Sequence, residues 1–381
     1  MKVILSVDPI KYPLTGTGRY TYELAKELGQ SNQIDCLRLY KGTRLIDSVP
    51  ETAARQSNAV TDLSGRLHKS RILAELYRAI MPPLKARALR GLEDHLFHGT
   101  SFYLPPFGGR SAVTIHDLSP FSWAACHPPE RVRYMQAEVA LSLKRASVLI
   151  TDSEFTRQEV AAHFGWPLEK VYAVSLASSK KFYQQSPSVL NPVLGRYGLS
   201  AGAYSLFAGT IEPRKNIDTL LNAYAMLSAS VRKNWPLIFA GYHGWNSEAL
   251  HARMANAERS GWARYLGFVP FDHLPVLFAG ARLFVFPSLY EGFGLPVLEA
   301  MASGVPVVCS NSSSLPEVVG DAAAMCDAHD ADSLNQLISI GLEDEEWRSN
   351  AVAKGLRRAE RFSWRRCACE TINVYKAVLN L

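Results

Sequence analysis

Two glutamates that could serve one active site, Glu291 and Glu299, are separated by the seven residues GFGLPVL. A carboxylate can stabilise positive charge on a reacting carbon, and glycines let backbone N–H groups approach a ligand closely. The apolar run Leu283–Phe286 predicts a strand, and Pro296 is typical of the first turn of a helix. We therefore predict Glu291 on the turn and Glu299 about one turn inside the helix, where an acid would also complement the helix dipole.

Polar side chains follow two other predicted strands. Arg214 and Lys215 come after Tyr204–Ala208, and His116 comes directly after Ala112–Ile115. Ligands of parallel α/β sheets bind beyond the carboxyl ends of strands, where arginine and lysine suit phosphate oxygens. The pattern indicates an anion site and a polar crevice. The alternatives are two solvated loop cations and a structural histidine.

A glycine pair near the N-terminus, Gly16 and Gly18, precedes a helix that the pattern predicts from Arg19. Thr21 occupies the position of the third glycine in a dinucleotide fingerprint, which disfavours a nicotinamide site. A helix start presents free N–H groups and about half a positive charge, so the loop suits a phosphate. The alternative is a flexible turn that requires positive φ angles.

Two further patterns resemble functional motifs but are better explained by helix capping. Asp330–Asp332 resembles a carboxylate pair that holds a divalent metal, yet it precedes a helical pattern, so we interpret Asp332 as an N-cap. Ser314–Glu317, SLPE, fits a capping box. The sequence contains no Walker A, G-x-S-x-G or H-E-x-x-H motif. We therefore predict no metal and no other cofactor.

Short apolar runs alternate with amphipathic helical patterns along the whole chain. The runs are hydrophobic without alternation, as parallel strands buried on both faces require, and they include Val3–Val7, Ala112–Ile115, Val148–Thr151, Tyr204–Ala208, Leu237–Ala240, Leu283–Phe286 and Val305–Cys309. This predicts doubly wound α/β folding, and 381 residues suffice for two domains. A Ser-, Pro- and Gly-rich stretch at 184–200 predicts the linker between domains 1–190 and 198–362.

The net charge of +6 is concentrated in one segment, Arg66–Arg90, which has seven basic residues and one acid. Apolar residues at helical spacing within it favour an anionic membrane surface, although a solvated helix face would look the same. The remainder sums to neutral, so we predict no nucleic acid partner. The N-terminal apolar run is too short for a secretory signal, and no run is long enough to span a membrane. We expect a cytoplasmic protein.

Taken in order, these motifs resemble the retaining, nucleotide-sugar-dependent glycosyltransferases of family 4, group 1, whose members include many mannosyltransferases. The resemblance covers nearly the whole chain, and its most specific element is the pair Glu291 and Glu299 with the glycines between. TIHDLSP and GTIEPRKN look most like bacterial mannosyl- and rhamnosyl-transferases of lipopolysaccharide or capsule assembly. The resemblance implies two facing Rossmann-like domains with a cleft between them, the GT-B fold, with a helix at 364–381 returning to the N-terminal domain.

The resemblance also implies roles for the residues around the first motif. The C-terminal domain would hold the nucleotide sugar, and the N-terminal domain would present the acceptor. Glu291 would contact the transferred sugar near its reacting carbon, together with backbone amides of Phe293, Gly294 and Leu295. Glu299 would bind the ribose hydroxyls.

The remaining candidates would surround the diphosphate and the sugar. By resemblance, Arg214 and Lys215 would hold the diphosphate, Gly16 and Gly18 would approach it from the other domain, and His116 would hydrogen-bond the donor sugar. Breaking a sugar–diphosphate bond places negative charge on the leaving oxygens, which two cations and a helix N-terminus can stabilise without a metal. We expect Glu291→Ala and Lys215→Ala to abolish transfer with nearly unchanged thermal unfolding.

The function that we predict is transfer of mannose or a related deoxyhexose from a GDP-sugar to a lipid-linked saccharide in surface-polysaccharide synthesis. The enzyme would act at the inner face of the cytoplasmic membrane as a peripheral protein. One alternative is a nucleotide-sugar epimerase or phosphorylase on the same fold. The other is a non-catalytic subunit that binds nucleotide sugar within a polysaccharide-assembly complex.

Overall fold

The computed structural model describes residues 1–50 and 81–380, which form two compact units. The first unit consists of three segments, Met1–Ser122, Pro129–Ser175 and Trp364–Leu381. The second unit consists of two segments, Trp123–Pro128 and Leu176–Ser363. The last helix thus belongs to the first unit, although it follows the second in sequence.

The first unit is built on a seven-stranded sheet. Its strands are β1 (Lys2–Ser6), β2 (Cys36–Lys41), β3 (Arg44–Ile46), β4 (Leu96–Gly99), β5 (Ser111–Ile115), β6 (Val148–Thr151) and β7 (Val171–Ala173). Their order is β3-β2-β1-β4-β5-β6-β7, and only β3 runs antiparallel to its neighbour. The consecutive residues Val3, Ile4 and Leu5 are all fully buried, so both faces of this sheet are covered, as continuous hydrophobicity predicts.

The helices of the first unit vary in length from one turn to more than four turns. They are Gly16–Gly29, Ser119–Ser122, Pro129–Arg145, Glu154–Phe164, the 3₁₀ turn Leu168–Lys170, and Trp364–Leu379, and residues 81–87 are also helical. Within residues 1–50 and 81–380, no helix combines the length and the hydrophobicity needed to cross a membrane.

The C-terminal helix Trp364–Leu379 packs against the helix Gly16–Gly29 and is hydrogen-bonded to the sheet. The hydroxyl of Tyr375 lies 2.6 Å from Nδ1 of His98, and the other ring nitrogen lies 2.8 Å from Thr114 Oγ1. Burial lowers the pKa of His98 to about 3, so the ring is neutral and needs both partners.

Tyr375→Phe is expected to lower the free energy of unfolding by about 1–3 kcal/mol, because Nδ1 of His98 would be left buried without a partner. Urea denaturation measures this change. The matched control is Tyr183→Phe, since Tyr183 is 52% exposed and its substitution should have no measurable effect. Equal stabilities of the two variants would show that the buried hydrogen bond does not stabilise the fold.

The second unit is built on a six-stranded parallel sheet. Its strands are β8 (Ser205–Ala208), β9 (Leu237–Ala240), β10 (Ala263–Tyr265), β11 (Leu283–Phe286), β12 (Val307–Ser310) and β13 (Ala324–Cys326). The order is β10-β9-β8-β11-β12-β13, so connections leave β8 and β11 in opposite directions. Such a switch point opens a crevice at the carboxyl ends of the two strands, and ligands of α/β sheets bind there.

Helices surround this second sheet. They are the 3₁₀ turns Ala124–Cys126 and Pro213–Lys215, and the α-helices Pro187–Arg196, Ile217–Ala225, Ala229–Asn234, Glu248–Arg259, Leu274–Ala279, Leu295–Ala302, Leu315–Val319, Ala331–Glu343 and Glu345–Ala359. The doubly wound α/β fold expected from the sequence is confirmed in each unit, and three strands have the predicted bounds: Val148–Thr151, Leu237–Ala240 and Leu283–Phe286.

Two local predictions differ from the structure. The helix predicted from Arg19 begins at Gly16. The stretch 184–200, predicted as the linker between domains, lies within the second unit, because the chain passes from the first unit to the second after Ser175, and it contains the helix Pro187–Arg196. Ser186 is the N-cap of this helix and Pro187 its first residue, and both residue types are as common at helix starts as in loops. Leu190 and Leu194, one turn apart, are buried and pack the helix onto the second unit.

Candidate functional site

Two loops meet at the switch point of the second sheet. The loop after β8 contains the 3₁₀ turn Pro213–Lys215, and the loop after β11 leads through Glu291 to the helix Leu295–Ala302. The N–H of Leu289 donates to the carbonyl of Arg214 over 2.9 Å. This main-chain hydrogen bond joins segments that are far apart in sequence and places their charged side chains together.

Four charged side chains from these loops form one buried group, which we call the charge cluster: Glu212, Arg214, Lys215 and Glu291. Lys215 Nζ donates to Glu291 Oε1 over 2.5 Å. Arg214 donates to Glu212 over 2.7 Å and to the second oxygen of Glu291 over 3.4 Å. None of the four residues is more than 9% exposed. Two positive charges balance two negative charges, which is the condition under which ions tolerate burial.

The charge cluster controls the protonation of Glu291. Burial alone would raise the pKa of this carboxyl, but the charges of Lys215 and Arg214 outweigh burial and hold the pKa below its usual value. Burial lowers the pKa of Lys215, and Glu291 opposes that shift. Glu291 is therefore a carboxylate at neutral pH.

Three serines hold the turn that carries Glu291. Ser288 Oγ donates to Glu291 Oε1 over 2.6 Å, and the Glu291 N–H donates to Ser313 Oγ over 2.8 Å. Ser314 Oγ lies 2.9 and 2.8 Å from the carbonyl oxygens of Glu291 and Phe293, to which it can donate. The orientation of the carboxylate is thus fixed before any ligand binds.

Both capping interpretations need correction. The prediction of a capping box at Ser314–Glu317 is wrong, because the Ser314 side chain accepts no hydrogen bond from its helix. It binds the Glu291 turn instead. The N-cap of the helix Ala331–Glu343 is Asp330 rather than Asp332, and its carboxylate accepts from the Ser333 N–H over 2.9 Å. The carboxylate of Asp330 is thus used to begin a helix.

Asn216 joins the first loop to the ends of two strands. Its side-chain amide donates to the carbonyl oxygens of Pro287 and Ala328, over 2.9 and 2.6 Å. Its backbone has φ 57°, a left-handed conformation that asparagine adopts more readily than most residues. Asn216 therefore positions the preceding pair Arg214 and Lys215 at the switch point.

The residues after Glu291 lead directly into a helix. Gly294 has φ 110°, and a Cβ atom there would lie 2.7 Å from a side-chain carbon of Leu315, so glycine fits both the angle and the space. Glu299 is the fifth residue of the helix Leu295–Ala302 and is buried. The helix dipole acts most strongly on side chains in the first turn, and Glu299 lies just beyond that turn. The helix dipole therefore accounts less well for the acid at this position.

In the first unit, His116 is held by hydrogen bonds on both ring nitrogens. Nδ1 lies 2.7 Å from Asp152 Oδ2, and Nε2 lies 3.0 Å from the carbonyl of Thr100. Burial opposes a charged ring, but the adjacent Asp152 carboxyl more than compensates and raises the pKa of His116. The ring of Tyr20 meets it edge-on, with centroids 5.0 Å apart. His116 is thus oriented by residues of its own unit.

The two N-terminal glycines occupy the first turn of a helix rather than a preceding loop. A Cβ atom on Gly18 would lie 2.9 Å from the carbonyl oxygen of Pro9, whereas one on Gly16 would meet nothing within 4 Å. Close packing therefore accounts for Gly18. Gly16 lies at the open end of the helix, where backbone N–H groups have no acceptor within the helix.

The predicted site residues fall into three groups. Arg214, Lys215 and Glu291 are in direct contact, Phe293, Gly294, Leu295 and Glu299 follow in the adjoining turn and helix, and Gly16, Gly18 and His116 belong to the first unit. The membrane prediction for Arg66–Arg90 lies largely outside the described residues. Of its basic side chains, Lys85 is half-buried, and Arg87 and Arg90 are exposed.

Comparison with known proteins assigns the chain to a recognised family. Residues 200–358 match the family model described as glycosyl transferases group 1. The chain is 45% identical to O-antigen chain mannosyltransferase B of Escherichia coli, over 99% of this chain and 100% of that protein. It is 34% identical to the serotype-specific mannosyltransferase WbdA of Escherichia coli, over 62% of this chain and 29% of that protein.

Solved structures show the same fold at low sequence identity. Sucrose-phosphate synthase from Thermosynechococcus elongatus superposes with a TM-score of 0.70 at 18% identity, covering 100% of this chain and 99% of that one. WaaG, a glycosyltransferase involved in lipopolysaccharide biosynthesis, superposes with a TM-score of 0.66 at 14% identity, covering 98% and 99%. The fold of this chain is therefore the GT-B fold.

Proposed function

Because this chain belongs to the group 1 glycosyl transferases, we propose that it transfers mannose, or a related deoxyhexose such as rhamnose, to a saccharide during O-antigen synthesis. The observation that carries this proposal is the full-length similarity to an O-antigen chain mannosyltransferase. The donor that we propose is a GDP-sugar, and the acceptor is a lipid-linked saccharide.

The charge cluster supports the proposed chemistry. When the bond between sugar and diphosphate breaks, negative charge develops on the leaving oxygens. The Lys215 ammonium has three N–H groups, of which one donates to Glu291, so the other two can donate to a phosphate oxygen. The adjacent Arg214 guanidinium adds a second positive charge. Cations held in place before the reaction need no reorganisation as charge develops.

Glu291 and Glu299 would act on the other parts of the donor. A carboxylate ionised in a buried site favours positive character at the sugar carbon, and the serine hydrogen bonds keep Glu291 oriented for that role. Glu299, in the adjoining helix, would bind the ribose hydroxyls. Phe293, Gly294 and Leu295 would offer backbone amides, and Gly16, Gly18 and His116 would contribute from the first unit. The acceptor oxygen would bond to the sugar carbon on the same face from which the diphosphate leaves.

Membrane association is part of the same proposal. A lipid-linked acceptor lies at a bilayer, and the basic segment Arg66–Arg90 carries as much net charge as the whole chain. Anionic lipids attract such segments by about 1 kcal/mol for each lysine or arginine near the surface. The protein would therefore act at the inner face of the cytoplasmic membrane.

Purified protein is expected to transfer mannose from GDP-mannose to a polyprenyl-diphosphate saccharide, with release of one GDP for each mannose transferred. UDP-, dTDP- and GDP-linked sugars are compared under the same conditions, and product linkage is read by nuclear magnetic resonance. Absence of transfer with every donor would contradict the proposal. Conversion of the donor without acceptor would instead identify an epimerase, and nucleotide binding without turnover would identify a non-catalytic subunit.

A further inference from the structure

A groove of about 350 Å³ on the first unit plays no part in the site described above. One wall is the helix Pro129–Arg145, and the other contains residues 81–85 and Tyr103. We call it the Tyr103 groove. Every residue that defines it here belongs to the first unit.

Much of the surface of the Tyr103 groove is apolar. Met81, Tyr134 and Leu141 line it, and Leu141 leaves 40% of its surface exposed. Leu84, 46% exposed, lies on the adjoining helical residues. An exposed leucine beside aromatic and thioether side chains in one groove is typical of a surface that binds an apolar partner.

Positive charge accompanies this apolar surface. Lys85, Lys144 and Arg145 line the groove, and among the described lining residues only Glu138 is acidic. The Lys85 ammonium lies 3.9 Å from the centre of the Tyr103 ring. Burial lowers the pKa of Lys85, so a neighbouring anion would favour its charged form. The lining thus matches an aliphatic chain joined to a phosphate.

A short loop after β4 joins the groove to the surroundings of His116. The carbonyl of Thr100 lies 3.0 Å from Nε2 of His116, and Tyr103 follows three residues later. The loop is fixed at its far end, because Arg145 donates to the carbonyl of Leu104 over 2.7 Å. The groove therefore has a fixed position relative to the carboxyl ends of β4 and β5, where a ligand of this sheet is expected.

We propose that the Tyr103 groove binds the prenyl chain and the adjoining phosphate of a lipid-linked saccharide acceptor. The proposal rests on the proposed function, which supplies the class of acceptor. A bilayer phospholipid shares the same chemistry, but the loop between the groove and the end of β4 favours a ligand whose saccharide end reaches the carboxyl edge of the sheet. The apolar wall would hold the chain, and Lys85 and Lys144 would hold the phosphate.

Leu141→Glu is expected to raise KM for the polyprenyl-diphosphate saccharide about tenfold, because a charge replaces apolar surface that the prenyl chain would cover. KM for the same saccharide without its lipid should not change. Leu168→Glu is the matched control, since Leu168 is a first-unit leucine that is 43% exposed and lies outside the groove. Circular dichroism verifies that both variants fold. Equal effects on the two acceptors, or no effect on either, would overturn the proposal.

A binding measurement tests the groove even if the wild-type protein transfers no sugar. Calorimetry with farnesyl phosphate should detect binding to the wild type and to Leu168→Glu, and weaker binding to Leu141→Glu and Lys144→Gln. Inorganic phosphate should bind far more weakly. Equal binding of inorganic phosphate would reduce the site to an anion site and contradict the proposal. If the wild type bound no farnesyl phosphate, and Leu141→Glu and Lys144→Gln lost the binding to phosphatidylglycerol vesicles that the wild type shows, the groove would be assigned to the bilayer instead.

Discussion

Glu291→Gln is expected to lower kcat for sugar transfer by about 10²–10³-fold, the usual effect of removing one group arranged to stabilise charge in a transition state. Glutamine keeps the size of the side chain and can still accept hydrogen bonds from Lys215 and Ser288. It lacks the negative charge that the proposed mechanism places beside the sugar carbon. Separate measurement of kcat and KM with GDP-mannose distinguishes a loss of chemistry from a loss of binding.

Glu212→Gln provides the matched control. Glu212 belongs to the same charge cluster, is equally buried and pairs with Arg214, but has no proposed contact with the sugar. Its loss of kcat should be much smaller than that of Glu291→Gln. Similar losses of kcat in both variants would mean that sugar transfer needs the intact charge cluster but not the carboxylate of Glu291 in particular.

The burial of the charge cluster revises one expectation that the sequence suggested. The sequence alone predicts that alanine variants of Glu291 or Lys215 leave thermal unfolding nearly unchanged, but removal of one partner from a buried ion pair costs about 3–5 kcal/mol. Because the pKa of Glu291 is lowered on folding, its ionised form stabilises the protein above the usual pKa of 4.5, and this stabilisation is lost as the pH falls. Urea denaturation should therefore show a difference between wild type and Glu291→Gln that is largest at neutral pH and shrinks in acid.

The sequence predicted the strands well because parallel strands buried on both faces must be hydrophobic at every position. It also identified Glu291 as a candidate, since no local structural role accounted for an acid on a glycine-rich turn. The pairing of Glu291 with Lys215 could not be predicted in the same way. It depends on β8 and β11 being neighbours, and strand order is a property of the whole sheet.

The supporting residues were missed for a different reason. Ser314 lies in a pattern that matches a capping box residue for residue, and the choice between binding its own helix and binding the Glu291 turn depends on a loop elsewhere in the chain. Asp152 stands at the end of a strand without a motif, and only the alignment of β5 with β6 brings it to His116. Local sequence patterns do not contain this information.

Combining Lys215→Met with Glu291→Gln should separate stability from catalysis. Each single variant leaves a buried charge with fewer partners, at a cost of about 3–5 kcal/mol in the free energy of unfolding. The double variant removes both charges, so its loss should be clearly smaller than the sum of the two single losses, while sugar transfer stays as low as in Glu291→Gln.

Lys181 and Asp272 supply the control pair for this cycle. Their side chains form a 2.6 Å ion pair but are 57% and 79% exposed, and such surface pairs contribute about 0–1 kcal/mol. A coupling free energy for Lys215 and Glu291 no larger than that of this surface pair would show that the charge cluster does not act as one buried unit. Recovery of both stability and transfer in the double variant would contradict the catalytic role of Glu291, because the carboxylate would then serve only to neutralise Lys215.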